Sequence, residues 1–145
     1  MEYIDLGKTG VKVSQLCFGT MSFGAEADEG MSGKMFKRCR EAGINFFDCA
    51  DAYSKGTAEE ILGRLLDGCR DEIVLTPKVY ESLNNDVNDG GLSRRHIVAA
   101  VEASLKRLKT DRIDIYFAHK FDPHTDMEQI LYAFEDLVRA GKIIY

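Results

Sequence analysis

Apolar residues arrive along this chain in two alternating rhythms. Short runs of three to five, Leu16–Gly19, Ile44–Phe47, Ile73–Leu75 and Ile113–Phe117, read as strands, and each is followed by apolar positions at helical spacing. The first helix is expected over Gly33–Ala42, with Met35, Phe36 and Cys39 on one face and Gly43 as its stop. Thr57 and Glu60 form a capping-box pattern ahead of Ile61, Leu62, Leu65 and Leu66. A third helix starts from a Ser93 cap and carries Ile97, Val98, Val101, Leu105 and Leu108 on one stripe. The fourth pairs Thr125 with Glu128 as capping box, buries Ile130, Leu131, Phe134, Leu137 and Val138, and stops at Gly141. A fifth apolar run begins at Ile143.

Strands alternating with amphipathic helices imply βαβ units, a parallel sheet and right-handed crossovers, hence an α/β fold. Ahead of them, two apolar alternations flank Gly7-Lys8-Thr9-Gly10, the pattern of a β-hairpin. The Gly7-Lys8-Thr9 piece imitates a phosphate loop, but Glu2 stands where that motif needs its first glycine. No linker or composition shift divides residues 1–145, which read as a single domain.

Composition narrows the partners. With 19 basic and 24 acidic side chains the net charge is -5, so no basic field exists to hold nucleic acid. No apolar run reaches membrane-spanning length and the first residues lack a signal-peptide pattern, which makes the cytoplasm the expected address. The four cysteines show no C-x-x-C spacing, and Pro123 between His119 and His124 breaks any shared helical face, so no metal site is expected. The 145 residues are also too few for a complete (β/α)₈ barrel, which takes about 250.

Polar residues gather where the strands end: Thr20 after the first, Asp48 after the second, Lys78 after the third and His119 after the fourth. In parallel α/β architectures that edge is where active sites are built. Tyr53 follows Asp48 by five residues. Singly, each has a plain structural role available, as a cap, a packed phenol, a solvated strand end or a half-buried histidine. Together they describe a proton-transfer site. A tyrosine, with an ordinary pKa of about 10, donates to a developing alkoxide at neutral pH only if a cation stabilises its phenolate. Lys78 supplies that charge, Asp48 holds the ammonium, and His119 orients a carbonyl. None of these can donate a hydride, so a nicotinamide cofactor is required.

The stretches Asn45-Phe46-Phe47-Asp48-Cys49-Ala50-Asp51-Ala52-Tyr53 and Ala58-Glu59-Glu60-Ile61-Leu62-Gly63, then Lys78, then Ile113 through His119, resemble the aldo-keto reductases in motif, order and spacing. Leu16 to Met21 is similar to that family's first strand, and Leu137 to Lys142 to its fourth helix. Gly91 to Ile97 and Ala103 to Leu108 are similar to the branch containing bacterial reductases and potassium-channel β subunits. The resemblance implies the N-terminal part of a (β/α)₈ TIM barrel: a hairpin cap, four βα units and the start of strand five. It implies reduction of aldehydes and ketones with NADPH, giving NADP⁺, and a small-molecule carbonyl substrate. Carried over, Asp48, Tyr53, Lys78 and His119 form the catalytic tetrad with Tyr53 as general acid, and Thr20, Met21 and Asp48 line the nicotinamide and its ribose. The channel subunits carry asparagine at the histidine position, so His119 favours catalysis over a purely regulatory role.

Two departures stand out. Pro77 precedes Lys78, and a proline in a central strand forfeits a ladder bond, which puts the reach of Lys78 in question. The later strands, which in the family grip the nicotinamide amide and the 2′-phosphate, lie outside these residues, so weak or absent NADPH binding by this chain alone is expected. The alternative is a half-barrel or channel-β-like binding module that associates through open sheet edges without turnover. A short-chain dehydrogenase is excluded, since no Tyr-x-x-x-Lys motif occurs. The polar loop Tyr80–Leu92 either shapes the pocket or is a solvated excursion.

Overall fold

A computed structural model describes all residues, Met1–Tyr145. Strands β1 (Tyr3–Asp5) and β2 (Lys12–Ser14) form the expected antiparallel hairpin. Its turn runs through Gly7 and Gly10, both at positive φ. Then come β3 (Cys17–Gly19), α1 (Glu29–Glu41), β4 (Phe46–Asp48), a 3₁₀ turn over Tyr53–Gly56, α2 (Thr57–Leu65), β5 (Val74–Thr76), β6 (Lys78–Val79), α3 (Arg94–Leu108), β7 (Phe117–Ala118) and α4 (Met127–Arg139).

The strands after the hairpin are parallel. Gly19, Asp48 and Thr76 stand level across β3, β4 and β5, and Lys78 stands level with Phe117 across β6 and β7. Pro77 splits what the sequence presents as one strand into β5 and β6, because it has no N–H to offer. Pairing continues across the break nonetheless: Ile115 N, Phe117 N and His119 N donate to the carbonyls of Leu75, Pro77 and Val79. The predicted strand Ile113–Phe117 is correspondingly shifted, its regular part being Phe117–Ala118, while Ile113 bridges in parallel to Ile143. The run Ile143–Tyr145 therefore joins the sheet as the next strand begins.

The hairpin docks at the amino end of β4. Ser14 N donates to Asn45 Oδ1 at 2.7 Å and Tyr3 OH donates to the Gly43 carbonyl at 2.8 Å. Asp48 closes the other end of β4, so the hairpin lies opposite the polar rim.

Helix boundaries follow local chemistry, in places not the expected residues. Helix α1 begins a turn earlier than predicted, because the Asp28 carboxylate caps it by accepting from Met31 N. Ser93 caps α3 as expected. The two capping boxes do not form. Thr57 is already helical, entered through a left-handed Gly56, and α4 starts at an Asp126 cap while the Thr125 hydroxyl donates to Asp122. In both cases the preceding loop claims the position.

Two apolar clusters sit under the helices. One joins Phe23, Phe36, Phe47, Ile61, Leu62 and Leu75 beneath α1 and α2, the other Val79, Ile97, Val101, Ile113, Ile130 and Leu137 beneath α3 and α4. Between β5 and the segment before β7, Arg70 spans the structure. It donates to Thr110 Oγ1, the Ile73 and Arg112 carbonyls and Asp114 Oδ2, and that carboxylate oxygen also accepts from Leu75 N at 2.9 Å. Where α2 meets α3 the backbones nearly touch: a Cβ on Gly63 would lie 2.4 Å from the Arg107 carbonyl and 2.7 Å from Leu108 C. Gly63→Ala gains about 1 kcal/mol in helix propensity. It forces two backbones apart at about 1–3 kcal/mol. Urea denaturation is expected to show net loss of stability, and a more stable variant would mean that α2 and α3 pack less closely.

Candidate active site

Four elements deliver the rim residues. Asp48 ends β4, Lys78 opens β6, His119 directly follows β7, and Tyr53 opens the 3₁₀ turn that leads into α2. Despite Pro77, Lys78 reaches its partners. Its Nζ donates to Asp48 Oδ2 at 2.6 Å, the Cys49 carbonyl at 2.8 Å and Tyr53 OH at 3.0 Å. Three ammonium protons thus meet three acceptors. Burial works against the charge on Lys78, but the hydrogen bonds to Asp48 and Tyr53 outweigh it and raise its pKa. The other Asp48 oxygen accepts from Thr76 Oγ1 at 3.0 Å, so the carboxylate is held at both oxygens.

Tyr53 is held by strained backbone. Ser54 and Lys55 adopt left-handed φ of 50° and 53°, costing about 1–2 kcal/mol each for residues with a Cβ. Ser54 Oγ donates to the Phe23 carbonyl at 2.8 Å and Lys55 N to the Ala52 carbonyl, which fixes the turn. The Lys78 ammonium also lies 4.7 Å from the Tyr53 ring centroid. His119 meets that ring edge-on with centroids 6.1 Å apart, so Asp48, Tyr53, Lys78 and His119 share one site. Burial and the neighbouring Lys78 charge push the His119 pKa down, keeping the imidazole neutral at neutral pH, and its buried Nδ1 has no partner.

The expected cofactor-lining residues are differently placed. Thr20 is fully buried and its hydroxyl donates to the Asp48 carbonyl at 2.9 Å, while Met21 is exposed at the rim. Thr76, the Cys49 carbonyl and Ser54 also belong to the site, outside the residues expected from sequence. Thr76 was discoverable as a hydroxyl one pleat from Lys78, whereas the other two act through backbone shape, which composition does not signal. The Tyr80–Leu92 loop is ordered: Asp89 Oδ2 accepts from Leu83 N, Asn84 N and Ser82 Oγ, and Leu92 N donates to Asp122. None of the five principal clefts is lined by one of the four residues. The largest of these, about 570 Å³, lies over α2 and α3 between Lys55, Arg64 and Lys106.

Comparison with known proteins decides the family. The pattern of the Aldo/keto reductase family matches residues 15–145. The chain belongs to the aldo/keto reductase family. It is similar to a Bacillus subtilis protein named as the uncharacterized oxidoreductase YrpG, 42% identical over 157 residues, covering all of this chain and 48% of that protein. It is also 40% identical over 149 residues to a probable voltage-gated potassium channel subunit beta of Arabidopsis thaliana, covering all of this chain and 45% of the other. Among solved structures, the holo form of aldo-keto reductase AKR11C1 from Bacillus halodurans superimposes with a TM-score of 0.90 at 36% identity, over all of this chain and 49% of that one. The architecture is thus the N-terminal part of a (β/α)₈ barrel, and the chain spans about half the length of the relatives it matches. No helix of this aldo/keto reductase chain is long and apolar enough to cross a membrane.

Since the Lys78 pKa is raised by folding, its contribution to stability is fully present below the unfolded value of about 10.4 and is lost as pH rises through the folded value. Chemical denaturation between pH 9 and 12 is expected to show an alkaline loss that is smaller in Lys78→Met, the remainder coming from the thiols of Cys17 and Cys49 and from Tyr116, whose pKa values burial raises. An identical loss in that variant would assign it to other groups.

Proposed function

We propose that this chain carries the proton-transfer half of an oxidoreductase that reduces aldehydes or ketones to alcohols. The observation that carries this reading is the Lys78 ammonium bonded at once to Asp48 and to the Tyr53 hydroxyl. Because the phenol oxygen accepts from Lys78, its own proton is left to donate toward the rim. Tyr53 protonates the carbonyl oxygen as the alkoxide develops, and the phenolate left behind faces an ammonium 3.0 Å away. Asp48 balances that ammonium and keeps it in place. Neutral His119, edge-on to the same ring, hydrogen-bonds and orients the carbonyl oxygen.

This donor set moves protons only and contains no hydride source, so the reaction calls for a hydride-donating cofactor, and membership in the aldo/keto reductase family supports a nicotinamide. NADPH, when bound, supplies the hydride. In this reading Met21, exposed at the rim, and Asp48 at the end of β4 would line its nicotinamide, with Thr20, bonded to the Asp48 carbonyl, supporting that wall from beneath. In a chain extended to its relatives' length, Tyr53→Phe is expected to lower carbonyl reduction by about 10²–10⁴-fold while cofactor-fluorescence titration stays unchanged. Undiminished turnover would remove Tyr53 from the acid role.

A second reading, association with another half-barrel, is supported by the sheet edges. Strand β3 pairs only with β4, and Leu16 beside it is exposed. Light scattering at micromolar concentration is expected to give the mass of a dimer or larger; a monomer across that range rejects this reading.

A further inference from the structure

Beneath the Tyr53 turn lies a second group of titratable side chains that the proton transfer does not use. Asp51, two residues before Tyr53, is 1% exposed, and Glu59 on α2 is fully buried. Arg107 of α3 donates from Nε to Glu59 Oε2 at 2.7 Å and from Nη2 to Ser104 Oγ at 3.3 Å. Three buried polar atoms in the chain's interior here have no partner: Asp51 Oδ1, Glu59 Oε1 and the hydroxyl of Tyr116. Tyr116, in the segment before β7, and Glu81, after β6, complete the ionisable groups that act on Asp51.

The cluster is mechanically tied to the acid. Asp51 N donates to the Lys78 carbonyl and Tyr53 N to the Ala50 carbonyl, so the Asp51 backbone links the lysine strand to the tyrosine turn. The Arg107 side chain lies under Gly56, where a Cβ would come within 2.9 Å of Arg107 Cδ, at the end of the left-handed run that aims Tyr53. Arg107, fixed by Glu59, thus packs under the far end of the turn while the Asp51 backbone holds its start.

Charge balance decides the protonation. With both carboxylates ionised, one arginine leaves a net negative charge out of water, which a buried site tolerates poorly. The Tyr116 hydroxyl cannot absorb it, since burial and the two carboxylates hold its pKa well above the ordinary value. Placing one proton on Asp51 makes the cluster neutral.

We propose that Asp51 is a positioning residue for Tyr53, carrying a proton against the buried Glu59–Arg107 pair, so that its ionisation displaces the tyrosine turn. This rests on the reading of Tyr53 as the acid. Burial, with Glu59 adding to it, raises the Asp51 pKa to about 7, which places the change in the neutral range.

The test uses the full chain without cofactor. Carbon-13 NMR of labelled aspartate side chains and tyrosine rings is followed from pH 5 to 9, in the wild type and in His119→Gln, which removes the imidazole that also faces Tyr53. One aspartate carboxyl is expected to titrate near pH 7, with the Tyr53 ring signal, identified by its loss in Tyr53→Phe, moving at the same midpoint in both proteins. Asp51→Asn should abolish both transitions; should that variant not fold, Asp51→Ser provides the comparison. The proposal is overturned if every aspartate carboxyl titrates below pH 5, or if the Tyr53 transition vanishes in His119→Gln or persists without Asp51. Turnover by Tyr53→Phe tests the acid role separately, so retained turnover alongside an intact Asp51–Tyr53 coupling would sink the former reading alone.

Discussion

A lysine ammonium largely withdrawn from water is tolerable only where each of its protons meets an acceptor, and the three that Lys78 finds come from the end of β4 and from the turn that follows it. Asp48 is the end of β4, the Cys49 carbonyl belongs to the next residue, and the Tyr53 hydroxyl is delivered by a turn whose backbone is unfavourable for two of its residues. The parallel register of β4 and β5 sets the height of Asp48, and Thr76 pins its second oxygen. If any of these were displaced, a buried charge would be left unbalanced. In the proposed function stability and proton transfer therefore share one constraint, since the bond that keeps the ammonium satisfied is made to the Tyr53 oxygen and does not use the phenol proton.

Strain at Ser54 and Lys55 belongs to the same constraint. Left-handed backbone persists at non-glycine residues only where surrounding contacts over-determine it. Here the Ser54 bond to Phe23, the Arg107 side chain under Gly56 and the start of α2 do so. The turn is consequently held from below by a buried polar cluster and from above by the lysine.

Much of this was legible in the sequence. The alternation of apolar runs gave the hairpin and the parallel βα order, and the strand ends placed Asp48, Lys78 and His119 on one rim. What periodicity missed was decided by competition between local groups. Thr57 and Thr125 carry the residues of a capping box, but Gly56 already turns the chain into α2 and Asp122 claims the Thr125 hydroxyl. Pro77 was legible as a break in the ladder, yet its harmlessness to Lys78 was not, because the continuation of pairing through Phe117 and His119 depends on a neighbouring strand far away in sequence. Nothing in the apolar pattern marks Asp51 and Glu59 as buried; the fold takes both out of water.

The carboxylate of Asp114 has a wider consequence. It accepts from Leu75 N, doing the work of a carbonyl in the ladder, and is neutralised by Arg70, whose remaining donors take up carbonyls of both flanking segments. Parallel strands with apolar side chains on both faces carry little information about alignment, since sliding by two residues preserves the pattern. An ion pair inserted among the backbone bonds removes that freedom, because any slip separates Arg70 from Asp114 in a half-buried place. A single arginine thus acts as an alignment key for the sheet, fixing the height at which Lys78 and His119 emerge together.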